Sequence, residues 1–246
     1  MALQFGLLVL GSYLLGSVPM AYLAAKRTRG IDLRHHGSGN VGTTNLLSLS
    51  SWRLAVPVFA FDVFKGMITV WVAWRLGLSS TEQAVVGIAA VSGHNWPIFL
   101  RFSGGRGVAT TLGASFMIPL LNSLVPGGVF VIIIVVLVGI VLVSKCVFDR
   151  GAVGVLAAAT CLPIVSWVFQ APLGLSLGLM GMLLILVIRR LTAAQPVKVT
   201  IMRRRQILLN RLLFDRDIKD KRDWMSLVLK GEEVDDEVIR VPLPRS

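Results

Sequence analysis

The sequence predicts an all-α membrane protein of about seven transmembrane helices, with its N-terminus outside and its C-terminus in the cytoplasm. Three observations point there: an apolar surplus, its grouping into long runs, and the one-sided placement of positive charge between those runs. Of 246 residues, 54% are hydrophobic and only 15% charged, with a mean hydropathy of +0.75. A soluble domain carries about 25% charged residues, so most of this chain lacks the composition of a water-facing surface.

Seven runs read as spans: residues 3–25, 54–78, 83–100, 108–124, 127–144, 151–169 and 172–188. The third and fourth lie near the lower limit of about 17 residues for a crossing. Both contain Gly, Pro or polar positions, which suits tilted, partly re-entrant or shielded segments. Lys26 is the first positive residue, so no basic region precedes the first apolar run and an uncleaved first span is expected.

Charge placement orients the spans. With the N-terminus outside, the inner segments hold Lys26, Arg27, Arg29, Arg34, Arg53, Arg101, Arg106, Lys145 and Arg150, whereas the outer ones offer Arg75 and Glu82. The positive-inside rule selects this orientation, and a basic tail on the same side requires an odd number of spans. The formal net charge of +12 is therefore read as membrane orientation and attraction to anionic lipid, not as a nucleic-acid surface.

Two regions follow: a membrane domain over 1–190 and a basic cytoplasmic tail over 191–246. From Arg189 onward there are 14 Lys+Arg and 9 Asp+Glu. Residues 207–229 interleave Ile207, Leu208, Leu212, Phe214, Ile218 and Trp224 with Arg and Lys. An amphipathic helix on the membrane surface and a partly disordered tail near anionic lipid both fit. Cys146 and Cys161 have no CxxC spacing or paired His, and the three histidines lack a carboxylate arrangement suited to zinc, so no metal site is expected.

Three polar segments interrupt the apolar pattern. The first, from His35 to Asn45, reads HHGSGNVGTTN. Gly37, Gly39 and Gly42 permit tight turns with positive φ, so backbone N–H groups can converge on an anion. Ser38, Asn40, Thr43, Thr44 and Asn45 add neutral donors. The spacing is not that of a Walker A loop, and a plain polar connector is the alternative. The second segment puts Asp62, Lys65 and Gly66 inside a span. A charge at the centre of a lipid-facing helix costs roughly 2.5 to 3.5 kcal/mol. Residues three apart share a face, so the two form either a structural ion pair or a polar cavity wall. In the third, His94 precedes Gly104-Gly105-Arg106-Gly107 at the start of the fourth span. Exposed N–H groups at a helix start attract anions, and Arg106 adds a planar cation. His94 taken alone fits a hydrogen-bonded structural residue as well as a catalyst. No GxSxG elbow is present.

The stretches GSVPMAYLAAKRTRGIDLRHHGSGNVGTTN, FDVFKG and GHNWPIFLRFSGGRGVAT resemble the three motifs of the PlsY-type acyl-phosphate:glycerol-3-phosphate acyltransferases, enzymes of the bacterial inner membrane. The resemblance covers residues 11–113, with the later spans similar in hydropathy. It implies seven helices with an outside N-terminus and acyl transfer from a fatty acyl phosphate to the 1-hydroxyl of glycerol 3-phosphate. Acyl-CoA, metal and cofactors are not needed. It further implies that Ser38, Gly39, Asn40, Gly42, Thr44 and Asn45 hold phosphate, joined by Asp62, Lys65, Gly66, Gly104, Gly105, Arg106 and Gly107, with His94 assisting proton transfer. Against the family pattern, Ser48 stands where an Arg is usual, Arg106 replaces a Lys, Cys146-Val-Phe-Asp-Arg150 follows Lys145 in place of a serine-rich stretch, and no Asn follows Arg189-Arg190. The donor-phosphate half is thus better kept than the acceptor half. Two other readings stay open: a relative that binds acyl or lipid phosphate without turnover, and a small-solute transporter. The second lacks the internal repeat usual in such proteins.

Overall fold

The structure is a computed structural model that describes residues 2–147, 151–193, 202–220, 223, 224, 226 and 227. Arg150 and most of the tail beyond residue 220, including the acidic run 232–237, lie outside the described residues. The described chain is all-helical: α1 Ala2–Gly16, α2 Met20–Arg29, α3 Thr43–Leu49, α4 Trp52–Arg75, α5 Ser80–Asn95, α6 Val108–Leu121, α7 Gly127–Cys146, α8 Gly151–Val168, α9 Leu173–Thr192 and α10 Arg204–Phe214. A 3-10 turn, Ile98–Leu100, separates α5 from α6.

Among the described residues, five helical segments are long and apolar enough to cross a membrane: Ala2–Arg29 taken together, α4, α7, α8 and α9. The third and fourth expected spans are shorter helices, 16 residues in α5 and 14 in α6. They are short because their ends are cut by other chemistry. Pro97 lacks an amide hydrogen and stops α5. The glycine loop delays the start of α6. α5 packs against α1, α4, α6 and α9, and α6 chiefly against α4 and α5. α7 is the opposite case. It has no buried residue, packs mainly on α8, and presents Val131, Ile132, Val135 and Leu142 outward.

Small residues let the central helices approach closely, as in membrane bundles where packing rather than hydrophobicity drives association. A Cβ on Gly16 would overlap the Ala90 carbonyl, and one on Gly93 the Tyr13 carbonyl, which seats α1 on α5. Gly66 and Gly113 do the same between α4 and α6, against the carbonyls of Thr110 and Val63. One core joins Val70, Ala84, Ala114, Ile118, Leu175 and Met182. At the end of the bundle away from the motifs, Gln83 and Asn122 exchange side-chain amide hydrogen bonds of 3.2 and 2.7 Å, tying the start of α5 to the end of α6.

The first expected span is not one helix. It breaks between Gly16 and Met20. Pro19 has no N–H to continue the ladder, and the residue before a proline is pushed out of the α region. The Met20 N–H, which would meet the Gly16 carbonyl in a continuous helix, bonds Val18 O at 3.1 Å instead. The Gly16 carbonyl is thereby left free inside the bundle.

Candidate active site

That free carbonyl organises the site. Lys65 Nζ donates to Gly16 O at 3.0 Å and stands 2.8 Å from Asp62 Oδ1. Asp62 and Lys65 are 3% and 1% exposed, a burial that charged groups tolerate only when paired and hydrogen-bonded. The one-turn spacing on α4 makes the pair, and the broken first helix completes it. His94, in the last turn of α5, brings Nδ1 to 3.5 Å from the same Asp62 oxygen. A proton on Nδ1 would face the carboxylate and leave Nε2 as an acceptor on the other side of the ring.

Nε2 faces Gly105: a Cβ there would overlap it and would lie 2.8 Å from the Val41 carbonyl. Gly104 is equally tight against the His94 carbonyl. The loop is fixed at both ends. Gly105 N–H donates to His94 O at 3.1 Å, and Gly107, at φ +74, forms the N-cap of α6. From α9, Arg189 donates to the Gly105 and Gly104 carbonyls at 3.0 and 2.7 Å. A small cleft opens at this point, lined by Gly16 to Ala21, Val41, Asp62, Lys65, His94, Pro97, Gly104 and Gly105.

The first motif forms its own compact loop. Gly37 and Gly39 have positive φ, as expected. Gly42 does not: it is extended at φ −150 and caps the short helix α3. Thr44 is exposed on that helix, and Ser38 and Asn40 are half-buried in the loop. Asn45 is buried under the loop. Its Oδ1 accepts from the Ser38 N–H at 3.0 Å, and its amide donates to Leu33 O and His36 O at 3.2 and 2.9 Å. Asn45 is thus a brace. At the loop entrance, Arg34 forks onto Asp32, with Nη2 2.6 Å from Oδ2. That hydrogen bond pulls the Asp32 carboxyl down to about 2.

The structure therefore brings Asp62, Lys65, His94, Gly104 and Gly105 together on one cleft, with the first motif touching it through Val41. Gly66 faces α6, and Arg106, outside the cleft lining, puts its Nε on Asp215 of the tail. Near the α6 N-terminus, Asn40 Oδ1, both polar side-chain atoms of Asn95, Thr110 Oγ1 and Thr111 Oγ1 are buried without a partner among the described residues. Buried polar atoms are rarely left so; the donors among them, Asn95 Nδ2 and the Thr110 and Thr111 hydroxyls, are available to an anion together with the first N–H groups of α6. Sequence reading missed the helix break at Ser17–Pro19 and the clamp by Arg189. A proline after Gly-Ser in an apolar run was the signal for the first. Nothing local marks the second. The cleft joins a carboxylate-oriented imidazole, a buried ammonium and a donor-rich loop, the parts needed to orient an anionic acyl donor and accept a proton.

Comparison with known proteins places the chain in a family. The Glycerol-3-phosphate acyltransferase family profile matches residues 6–195. A Dehalococcoides mccartyi protein named glycerol-3-phosphate acyltransferase 5 is 37% identical over 232 residues, 92% of this chain and 94% of its own. A second protein of that species, named glycerol-3-phosphate acyltransferase 4, is 36% identical over 90% of this chain and 93% of its own. Among solved structures, the crystal structure of PlsY, an integral membrane glycerol 3-phosphate acyltransferase, in its glycerol 3-phosphate form superposes with a TM-score of 0.66. It is 30% identical and covers 76% of this chain and 88% of that one.

Proposed function

This chain belongs to the glycerol-3-phosphate acyltransferase family, and from that premise we propose how its cleft performs the transfer and which donor it uses. The protein is an acyltransferase of phospholipid synthesis that acylates glycerol 3-phosphate. In our reading the donor is a fatty acyl phosphate, a mixed anhydride already activated for attack, so no covalent enzyme intermediate is required. The acceptor 1-hydroxyl attacks the acyl carbonyl, the C–O bond to phosphate breaks, and inorganic phosphate leaves. The hydroxyl proton passes to His94 Nε2 and on to the departing phosphate.

The observation that carries this reading is the position of His94, backed by Asp62 on one side and by the Gly104–Gly105 backbone on the other. Lys65 has a donor beyond those used by Asp62 and Gly16, and it supplies positive charge to the leaving phosphate. The unpartnered Asn95 Nδ2 and Thr110 Oγ1 supply neutral donors, and Asn40 Oδ1 is an acceptor for a substrate hydroxyl. Asn45, Gly42 and Gly107 shape the loops that present them, and Ser38, Gly39, Thr44 and Gly66 act at the rim or through packing. Arg189 orients the glycine loop by its carbonyls.

In the membrane we propose seven crossings with the N-terminus outside and the cleft facing the cytoplasm of a bacterial cell, where anionic lipid meets the basic inner segments. α5 and α6 complete the count, packed largely against neighbouring helices. The deciding assay gives purified protein palmitoyl phosphate and labelled glycerol 3-phosphate and measures lysophosphatidate. Product is expected with palmitoyl phosphate and not with palmitoyl-CoA. Product from the thioester alone would refute the donor assignment. A reporter fused at Ser246 is expected to read cytoplasmic.

A further inference from the structure

Arg106, the cation of the third motif, is paired by a residue 109 positions away. Its Nε donates to Asp215 Oδ2 at 3.0 Å. The other oxygen, Oδ1, lies 2.8 Å from the same nitrogen but off the N–H direction, and it has no donor of its own among the described residues. Asp215 belongs to the tail, beyond the 6–195 matched by the family. The tail is docked to deliver it. α10 packs on α8 and α9, Arg211 donates to Leu191 O at 3.0 Å, and Arg190 donates to Leu212 O at 3.1 Å. Asp215 ends α10 in the left-handed region at φ +59, a conformation Asp tolerates better than most residues.

The surroundings are cationic. Arg189 and Arg190, both buried, lie close enough to sense Asp215 and Arg106 electrostatically. Both direct their hydrogen bonds to backbone carbonyls, so Arg106 is the guanidinium that meets the carboxylate, on a glycine loop that opens a helix. A two-oxygen anion on Arg at such a place imitates a phosphate. The imitation is incomplete, since one carboxylate oxygen is unsatisfied and a dianionic phosphate would answer more of the positive charge.

We infer that Asp215 is a tail-borne stand-in for the phosphate of the acceptor: it occupies Arg106 in the free protein, and glycerol 3-phosphate displaces it and undocks the tail. This rests on the proposed acyl transfer to glycerol 3-phosphate and adds to it that the acceptor phosphate reaches the Arg106 guanidinium. Asp215 then sets affinity for the phosphorylated substrate without entering the chemistry.

The test uses the full chain in nanodiscs, with steady-state kinetics and hydrogen exchange of residues 204–220. In Asp215→Asn the half-saturating glycerol 3-phosphate should fall about tenfold, the worth of one charge-assisted hydrogen bond, with a smaller change in kcat. Asp215→Glu should lie between that variant and wild type. In wild type, glycerol 3-phosphate or inorganic phosphate should speed exchange across 204–220. In Asp215→Asn exchange should already be fast and indifferent to either ligand. An unchanged or raised half-saturation in Asp215→Asn overturns the inference, as does tail exchange in wild type that neither ligand alters. Ligand-induced release without any lysophosphatidate overturns the proposed reaction and leaves the displacement by phosphate standing.

Discussion

Gly105→Ala tests the site where its geometry is tightest. The added carbon would overlap His94 Nε2, lie 3.0 Å from His94 Cδ2, and stand 2.8 Å from the Val41 carbonyl. Ordinary contact begins near 3.4 Å, so the Val41 side must retreat by about 0.6 Å and the imidazole by more, as in any overpacked interior. Neither neighbour is loose. Val41 is 4% exposed, and His94 stands against Asp62. A reacting group displaced by about 1 Å loses roughly 100-fold in rate, about 2.7 kcal/mol of barrier. Overpacking itself should cost about 1 to 3 kcal/mol of stability. The assay is kcat for lysophosphatidate formation at saturating substrates, read beside a thermal melt. A kcat fall much larger than the loss of folded protein is expected. Wild-type kcat in a folded Gly105→Ala would refute the claim that the glycine loop sets the position of His94. Gly178→Ala is the matched control. Its Cβ would lie 2.5 Å from the Ala84 side chain between α9 and α5, and neither residue lines the cleft, so it should lower the melting temperature and leave the kcat of folded protein near wild type.

Three further outcomes follow from the same contacts. Asp62→Asn or Lys65→Met alone leaves a buried charge without its partner and should cost about 3 to 5 kcal/mol, while the double variant should cost less than the sum; additive melts would show the pair to be uncoupled. Arg189→Gln removes the guanidinium fork from the Gly104 and Gly105 carbonyls and should lower kcat more than it raises KM, with Arg189→Lys recovering part of the loss; equal effects of Lys and Gln would sink the fork argument. The Arg34 hydrogen bond lowers the Asp32 carboxyl from 3.8 to about 2 in the folded protein. Its contribution is therefore complete above pH 4 and is lost as pH falls toward 2. The melting gap between wild type and Asp32→Asn should stay constant from pH 7 to 4 and close below that. A gap that persists at pH 2 would contradict it.

The helical character and the order of the long apolar segments could be read from the chain because hydrophobic transfer is a local sum over neighbouring residues. α4, α7, α8 and α9 accordingly fall within a few residues of their expected ends. The pairing of Asp62 with Lys65 was also local, since three residues on a helix fix a shared face. The motif resemblance identified His94 and the glycine loop as one chemical unit. The sequence did not reveal what those residues meet. Lys65 reaches a carbonyl 49 residues away that is free only because Pro19 breaks the first helix. Arg189 holds the glycine loop across 84 residues. Gly66 turned out to face a helix crossing, and Asn45 to brace its own loop, because packing decides which side of a residue is left for a ligand. Arg106 looked like an open anion site in the sequence. Only the folded tail supplied Asp215, since long-range contacts depend on how helices pack and not on any periodicity along the chain.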